Sequence, residues 1–197
     1  MTLTVPDAAD RAALADVVAR VVRLDPTSVV RLRDRGDRVA LWASTPFEVL
    51  VAAGVPGRIV PADVTVMGSD LLAALGVVDT PEVDPGTAVD ARWRGDLPGE
   101  GPWRVVGEIP ADAVDALVAG ATAGGPPVLD DVAWEGGGVR VPARCVVAVA
   151  GMGWPETGEA VTVALSADET WLRLEVPRQA GDAAIVRRRR PRLTLAM

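Results

Sequence analysis

The sequence has no histidine and no tyrosine, and because all 20 of its basic residues are arginine it has no lysine either. Without histidine there is no Ser-His-Asp or Cys-His arrangement, no imidazole general base and no histidine metal ligand. Without lysine there is no Schiff base and no phosphate-cradling lysine of the P-loop type. The single cysteine, Cys145, closes no intrachain disulfide and builds no thiolate zinc cluster, which fits a reducing compartment. No apolar stretch nears the roughly 20 residues that span a bilayer, and Met1 to Asp10 has no basic start followed by an apolar run. The expectation is a cytoplasmic protein with no membrane partner and no cofactor. Any activity would have to come from carboxylates, arginines, hydroxyls or one thiol.

What is present is a chain 49% apolar, dominated by alanine and valine, with six tryptophans and one phenylalanine. Its core must be assembled from small, branched side chains. The same bias toward Ala, Val, Gly, Pro, Asp and Arg fits a high-GC genome, so the missing residues have a mutational cause as sufficient as a functional one. At 197 residues the chain fits one ordinary domain or two small ones. The net charge of −7 is uneven: residues 187–197 carry five arginines and no acid, a basic tip on an acidic body.

Periodicity and punctuation predict an α+β fold with mostly antiparallel sheets. Leu14, Val17, Val18, Val21 and Val22 recur at helical spacing over residues 7–22, and Asp25-Pro26 ends that helix. β-Favouring runs flank Arg35-Gly36-Asp37 as a hairpin, so the RGD triplet reads as a turn. Thr45-Pro46-Phe47-Glu48 has the arrangement of a capped helix start, predicting a short helix to Ala53 closed by Gly54. Asp63 to Met67 reads as a strand, Ser69 to Leu75 as a helix and Thr87 to Trp93 as a strand. After the linker-like stretch from Gly95 to Pro102 come a strand to Ile109, a helix over 110–123, a hairpin about Gly136-Gly137-Gly138, a helix over 142–150 and three strands to Arg189.

The order of these elements repeats. Val5-Pro6 matches Ile109-Pro110, the hairpin at Gly36 matches that at Gly137, and Val64-Thr65-Val66 recurs as Val161-Thr162-Val163. The pattern predicts an internal duplication of a helix-hairpin-helix-strands unit, with halves at 1–98 and 99–197 forming two units or one compact domain. The stretches Arg23-Leu24-Asp25, Thr45-Pro46-Phe47, Asp63-Val64-Thr65-Val66, Gly151-Met152-Gly153 and Trp171-Leu172-Arg173-Leu174 resemble those of an uncharacterised family of high-GC Gram-positive bacteria. That resemblance implies a bacterial, cytosolic origin and carries no mechanism.

Several residues carry chemistry worth weighing. Asp130-Asp131, Asp79 with Glu82 and Asp84, and Asp168-Glu169 could serve as magnesium ligands or an acid/base pair, but each lies at a turn or element edge, where acids cap amides. No metal site is therefore expected. Cys145 among valines and alanines reads as a buried hydrophobe. Gly151-Met152-Gly153 lacks the third glycine of a dinucleotide fingerprint, and Gly136-Gly137-Gly138 sits between strands.

Arg187, Arg188, Arg189, Arg190 and Arg192 form the one charge run, and guanidinium forks suit oxyanions. On a strand, alternate arginines face opposite sides; on an edge strand they would also discourage aggregation. The run is open to a structural role, to a partner's acidic surface, or to nucleic acid, the last disfavoured by a sequence pI of about 4.7. Trp154, between glycine and proline, reads as the tryptophan most exposed and a weak pointer to a recognition loop. The favoured reading is a non-catalytic interaction or adaptor protein that binds a protein partner or itself. The alternatives are a binder of an anionic ligand or nucleic acid through the arginine run, and a carboxylate-based enzyme.

Overall fold

The computed structural model describes residues 1–77, 80–99, 101–122, 125, 128–154, 162–177 and 182–189. A short strand, β1 (Thr2–Thr4), leads into α1 (Ala8–Leu24). Asp7 caps that helix, its carboxylate accepting from the amides of Ala9 and Asp10 at 2.7 and 3.3 Å. Leu14, Val17, Val18 and Val21 form its buried stripe. The hairpin β2 (Val29–Asp34) and β3 (Arg38–Ser44) turns at Gly36, where φ is +90°. β4 (Leu50–Pro56), β5 (Arg58–Val60), β6 (Asp63–Met67), α2 (Gly68–Val77) and β7 (Glu82–Val83) follow.

The second half runs β8 (Arg104–Pro110), α3 (Ala111–Thr122), β9 (Val132–Gly136), β10 (Val139–Pro142), α4 (Ala143–Gly151), β11 (Thr162–Ala167), β12 (Trp171–Val176) and β13 (Asp182–Arg188). Here the predicted helix, hairpin, helix and strands occur in the expected order.

Eight strands form one antiparallel sheet in the order β6-β2-β3-β4-β13-β12-β11-β8. It consists of two four-strand runs that meet where β13 pairs β4, Ile185 opposite Val51. In each run a helix leads into three strands paired in succession, α1-β2-β3-β4 and α4-β11-β12-β13, and the outer strand leads into a further helix. The repeated units therefore match in a register different from the one the sequence pattern offers: the hairpins at Gly36 and Gly137 lie in separate sheets. A three-stranded sheet, β5-β1-β7, and the β9-β10 hairpin complete the strands. Helix α1 packs against α2 and β4, and α4 against α3 and β13.

The sheet's alternation divides its side chains. Ala183 and Ile185 join the large core beneath the helices, whereas Ala184, Val186 and Trp171 form a second cluster on the opposite face with Trp42, Leu50 and Trp103 packed around it. As the sequence required, the main core is built chiefly of valine and leucine.

Two predicted elements are different. Residues 45–49 form a tight turn and 50–56 a strand: the Thr45 and Glu48 amides donate to the Val49 and Thr45 carbonyls, and Glu48 sits at φ +56°. The capping chemistry is present, since Thr45 Oγ1 accepts from the Phe47 amide at 3.3 Å, but it closes a turn. Residues 87–93 contain a single 3-10 turn, Asp90–Arg92, in place of a strand. β13 is no edge strand over residues 183–186, where it pairs both β4 and β12, while Arg187 and Arg188 beyond them pair β12 alone.

A candidate binding cleft at the β4–β13 seam

The turn that joins β3 to β4 and the end of β13 come together on one rim of the sheet, and the start of α4 meets them there. Arg144, only 5% exposed, enters from α4 and anchors the site. Its Nη1 donates to Glu48 Oε2 at 2.6 Å and to the Phe47 carbonyl at 3.2 Å, and its Nη2 to Asp130 Oδ1 at 2.5 Å. Arg187 donates from Nη1 to the Glu48 carbonyl at 2.7 Å and lies 3.8 Å from Asp130. These contacts bind the turn to β13 and α4 across more than ninety residues of sequence.

Alternation along β13 sends Arg187 and Arg188 to opposite faces, as strand geometry requires. Arg187 points toward Arg144 and Cys145; burial, and then the Arg144 charge, lower its pKa from the ordinary guanidinium value. Arg188 lies over the Trp171 ring, 5.5 Å from its centroid, and donates to Asp96 at 3.0 Å. Arg189 donates to the Asp168 carbonyl at 2.6 Å. Arg190 and Arg192 lie outside the described residues.

Two open clefts flank the Arg187–Glu48 contact. One, about 560 Å³, has Arg140, Arg144, Leu172 and the β13 arginines in its wall; the other, about 490 Å³, is lined by Val49, Leu50, Arg94, Asp96, Trp171 and Val186. Both volumes fall in the range of roughly 300–1,000 Å³ usual for ligand sites. One side of the seam is thus rich in guanidinium and the other is mainly aliphatic and aromatic.

Trp154 takes no part, and the expectation of an exposed recognition loop is corrected: it is 3% exposed and belongs to the main core. Its amide donates to the Val149 carbonyl at 3.0 Å as α4 ends, which folds the chain back and turns the indole inward. Cys145 is fully buried, and desolvation pushes its thiol up to about 12 despite the opposing charges of Arg187 and Arg144. The acids of the turns cap amides: Asp168 Oδ1 accepts from Thr170 and Trp171 at 2.6 Å each, and Asp84 from Gly86 at 3.2 Å. Among the described residues no three carboxylates or thiols converge on a metal-binding point, and Asp79 lies outside them.

Sequence reasoning found β13 and its arginines but missed Arg144 and Glu48 as parts of one site. Only strand pairing between distant segments brings them together, and nothing in their local sequence signals it.

Residues 1–95 match the model of a domain of unknown function, DUF8010. No curated protein sequence matches the chain. Among solved structures it is similar to the DnaN sliding clamp (DNA polymerase III subunit beta) of Bartonella birtlesii bound to griselimycin, with TM-score 0.58 and 15% identity over 95% of this chain and 64% of that one. It is likewise similar to the DNA polymerase sliding clamp of Bacillus subtilis (0.58, 11% identity, 97% and 65%) and the DNA polymerase III beta subunit of Thermotoga maritima (0.57, 11%, 97% and 65%). The chain thus spans a little under two thirds of the clamps it matches. At these identities the likeness is one of fold: a mixed α+β, chiefly antiparallel architecture of repeated units, as in the sliding clamps.

Proposed function

We propose that the protein is a non-catalytic, cytoplasmic interaction scaffold of clamp fold, whose protein partner docks in the two clefts flanking the β4–β13 seam. The observation that carries this reading is the seam itself. Arg144, Arg187 and the 45–49 turn hold two adjoining concavities open, one polar and one apolar, on a rigid sheet. Interfaces commonly combine an apolar anchor site with arginine-rich contacts. The structural neighbours are named as subunits, parts of a larger assembly. A catalytic reading gains no support from the clefts: of their acids, Glu48 and Asp130 are paired with Arg144 and Asp96 with Arg188.

Helices α2 and α3 give no support to nucleic acid. The first turns of α2 and α3 carry Asp70 and Asp112, and neither helix has a basic residue in its last turn. A polyanion backbone needs a basic stripe.

A photoreactive residue placed at Val132 or Arg94, which line the two clefts, is expected to crosslink a discrete protein in a native cytosolic extract. The same residue placed at Asp115 on α3 is expected not to. Equal yield from position 115, or none from 132 and 94, would remove the docking site.

A further inference from the structure

The arginine-walled cleft is out of balance with the rest of the molecule. The chain carries a net charge of −7, yet five of the residues that line this cleft are arginines, Arg140, Arg144, Arg187, Arg188 and Arg189, and two are acids, Glu48 and Asp130; at its edges Arg188 also pairs with Asp96 and Arg140 with Glu135. Burying and crowding like charges is unfavourable unless an anion is supplied. Arg187 shows the strain of that arrangement, since burial and the neighbouring Arg144 both disfavour its charged form.

The two resident acids identify the chemistry that fits. Arg144 is nearly inaccessible, with its side chain 6% exposed, but the Glu48 and Asp130 side chains that satisfy it are 76% and 77% exposed. They reach in from solvent over a fixed fork. An incoming carboxylate can therefore take their place, and the released acids return to water with no buried charge left behind. Arg144 Nε is a further buried donor without a partner among the described residues. Arg140, 72% exposed beside Glu135, stands at the cleft's mouth.

We propose, resting on the docking reading above, that this cleft captures an acidic segment of the partner protein, whose Asp or Glu carboxylates bind the guanidinium forks that Asp130 and Glu48 occupy in the free protein. A segment supplying a few carboxylates fits the confined basic wall. A nucleic acid would carry its charge on past Glu135, Asp168 and Asp96 at the surrounding surface. The resident acids then act as internal competitors that keep the site soluble when empty and raise the threshold for weakly acidic ligands.

Isothermal titration of the full chain at low salt tests this, with hexaglutamate, a six-nucleotide oligothymidylate and inorganic phosphate as probes. Hexaglutamate is expected to bind saturably, with affinity falling roughly tenfold in Arg187→Gln and severalfold in the exposed Arg140→Gln, about the loss of one charged hydrogen bond. Asp130→Asn is expected to tighten binding severalfold by removing a competitor. Asp112→Asn, the same change in net charge placed on α3, is expected to leave it unaltered. Any of four results would overturn the inference: no saturable hexaglutamate binding in either the wild type or Asp130→Asn; oligothymidylate binding as tight as hexaglutamate; phosphate that saturates without competing with hexaglutamate; or equal gains from Asp112→Asn and Asp130→Asn. A specific crosslink from the clefts together with no hexaglutamate binding would retain the docking reading and reject the acidic partner.

Discussion

At residue 145 a thiol replaces what would otherwise be another aliphatic contact, and its environment determines its chemistry. Cys145 is fully buried and its pKa is pushed up to about 12, so at neutral pH it is a protonated thiol with no path to solvent. Iodoacetamide at pH 8 is expected to label it only after denaturation; labelling of the folded chain at the rate of the unfolded one would show that the burial is wrong. The same shift links stability to pH. The folded state holds the proton more tightly than the unfolded chain, whose thiol ionises near its ordinary value of about 8.5. This contribution is fully present below that value and is lost as pH rises toward 12, so the urea midpoint should fall above about pH 9, and a Cys145→Ala variant should lose that part of the decline. Trp154 is the second residue whose local sequence misleads. Because its ring fills the core, Trp154→Ala should destabilise by about 3–5 kcal/mol, as other large-to-small core substitutions do. A change of a few tenths in urea unfolding would instead indicate the exposed loop residue its flanking glycine and proline suggest.

Elements were legible wherever a signal is local. The stripe of α1, the turn at Gly36, the α3 and α4 helices and the final three strands all stand in the sequence, because period and turn chemistry act within a few residues. What was not legible depends on pairing. The Thr45-Pro46-Phe47-Glu48 box satisfies amides equally well in a turn, and the partners that make residues 50–56 a strand, β3 and β13, include one far along the chain, Ile185 opposite Val51. Tertiary pairing overrode the local helix signal there. Arg144, Glu48 and Arg187 were illegible as a site for the same reason. The connection between β4 and β5 offers a test of how tightly such pairing constrains the backbone. Gly57 sits at φ +153°, and a Cβ there would collide with the Thr4 carbonyl oxygen, whereas Gly36, at φ +90°, has nothing within 4 Å of a Cβ. Gly36→Ala should lose only about 1 kcal/mol for its backbone conformation. Gly57→Ala adds a clash with β1 that backbone must absorb, and its loss of stability in urea unfolding is expected to be at least twice as large. Equal losses would mean that β1 and β5 are not held in this register.

For the whole molecule the decisive joint is the one between its two four-strand runs. Residues 1–98 and 99–197 each contain a helix leading into three strands, and β4 and β13 join the two runs over five residue pairs, Leu50 to Gly54 against Val186 to Asp182. Val51 and Ile185 are fully buried within one core, and on the opposite face Leu50 packs against the cluster containing Val186. Separating the halves would expose a long, flat, largely apolar strand edge on each, the arrangement most prone to edge-to-edge association. Arg144 and Arg187 would lose their contacts with the 45–49 turn at the same time, leaving Arg144 without its Glu48 partner. A fragment of residues 1–98 expressed alone is therefore expected to aggregate or to dimerise through β4, and co-expression with 99–197 should return a soluble one-to-one complex. The intact chain should unfold in a single transition, since the shared core couples the two runs. A monomeric, fully folded 1–98 fragment by size-exclusion chromatography and circular dichroism would show instead that the halves are independent domains, with the seam a contact between finished surfaces.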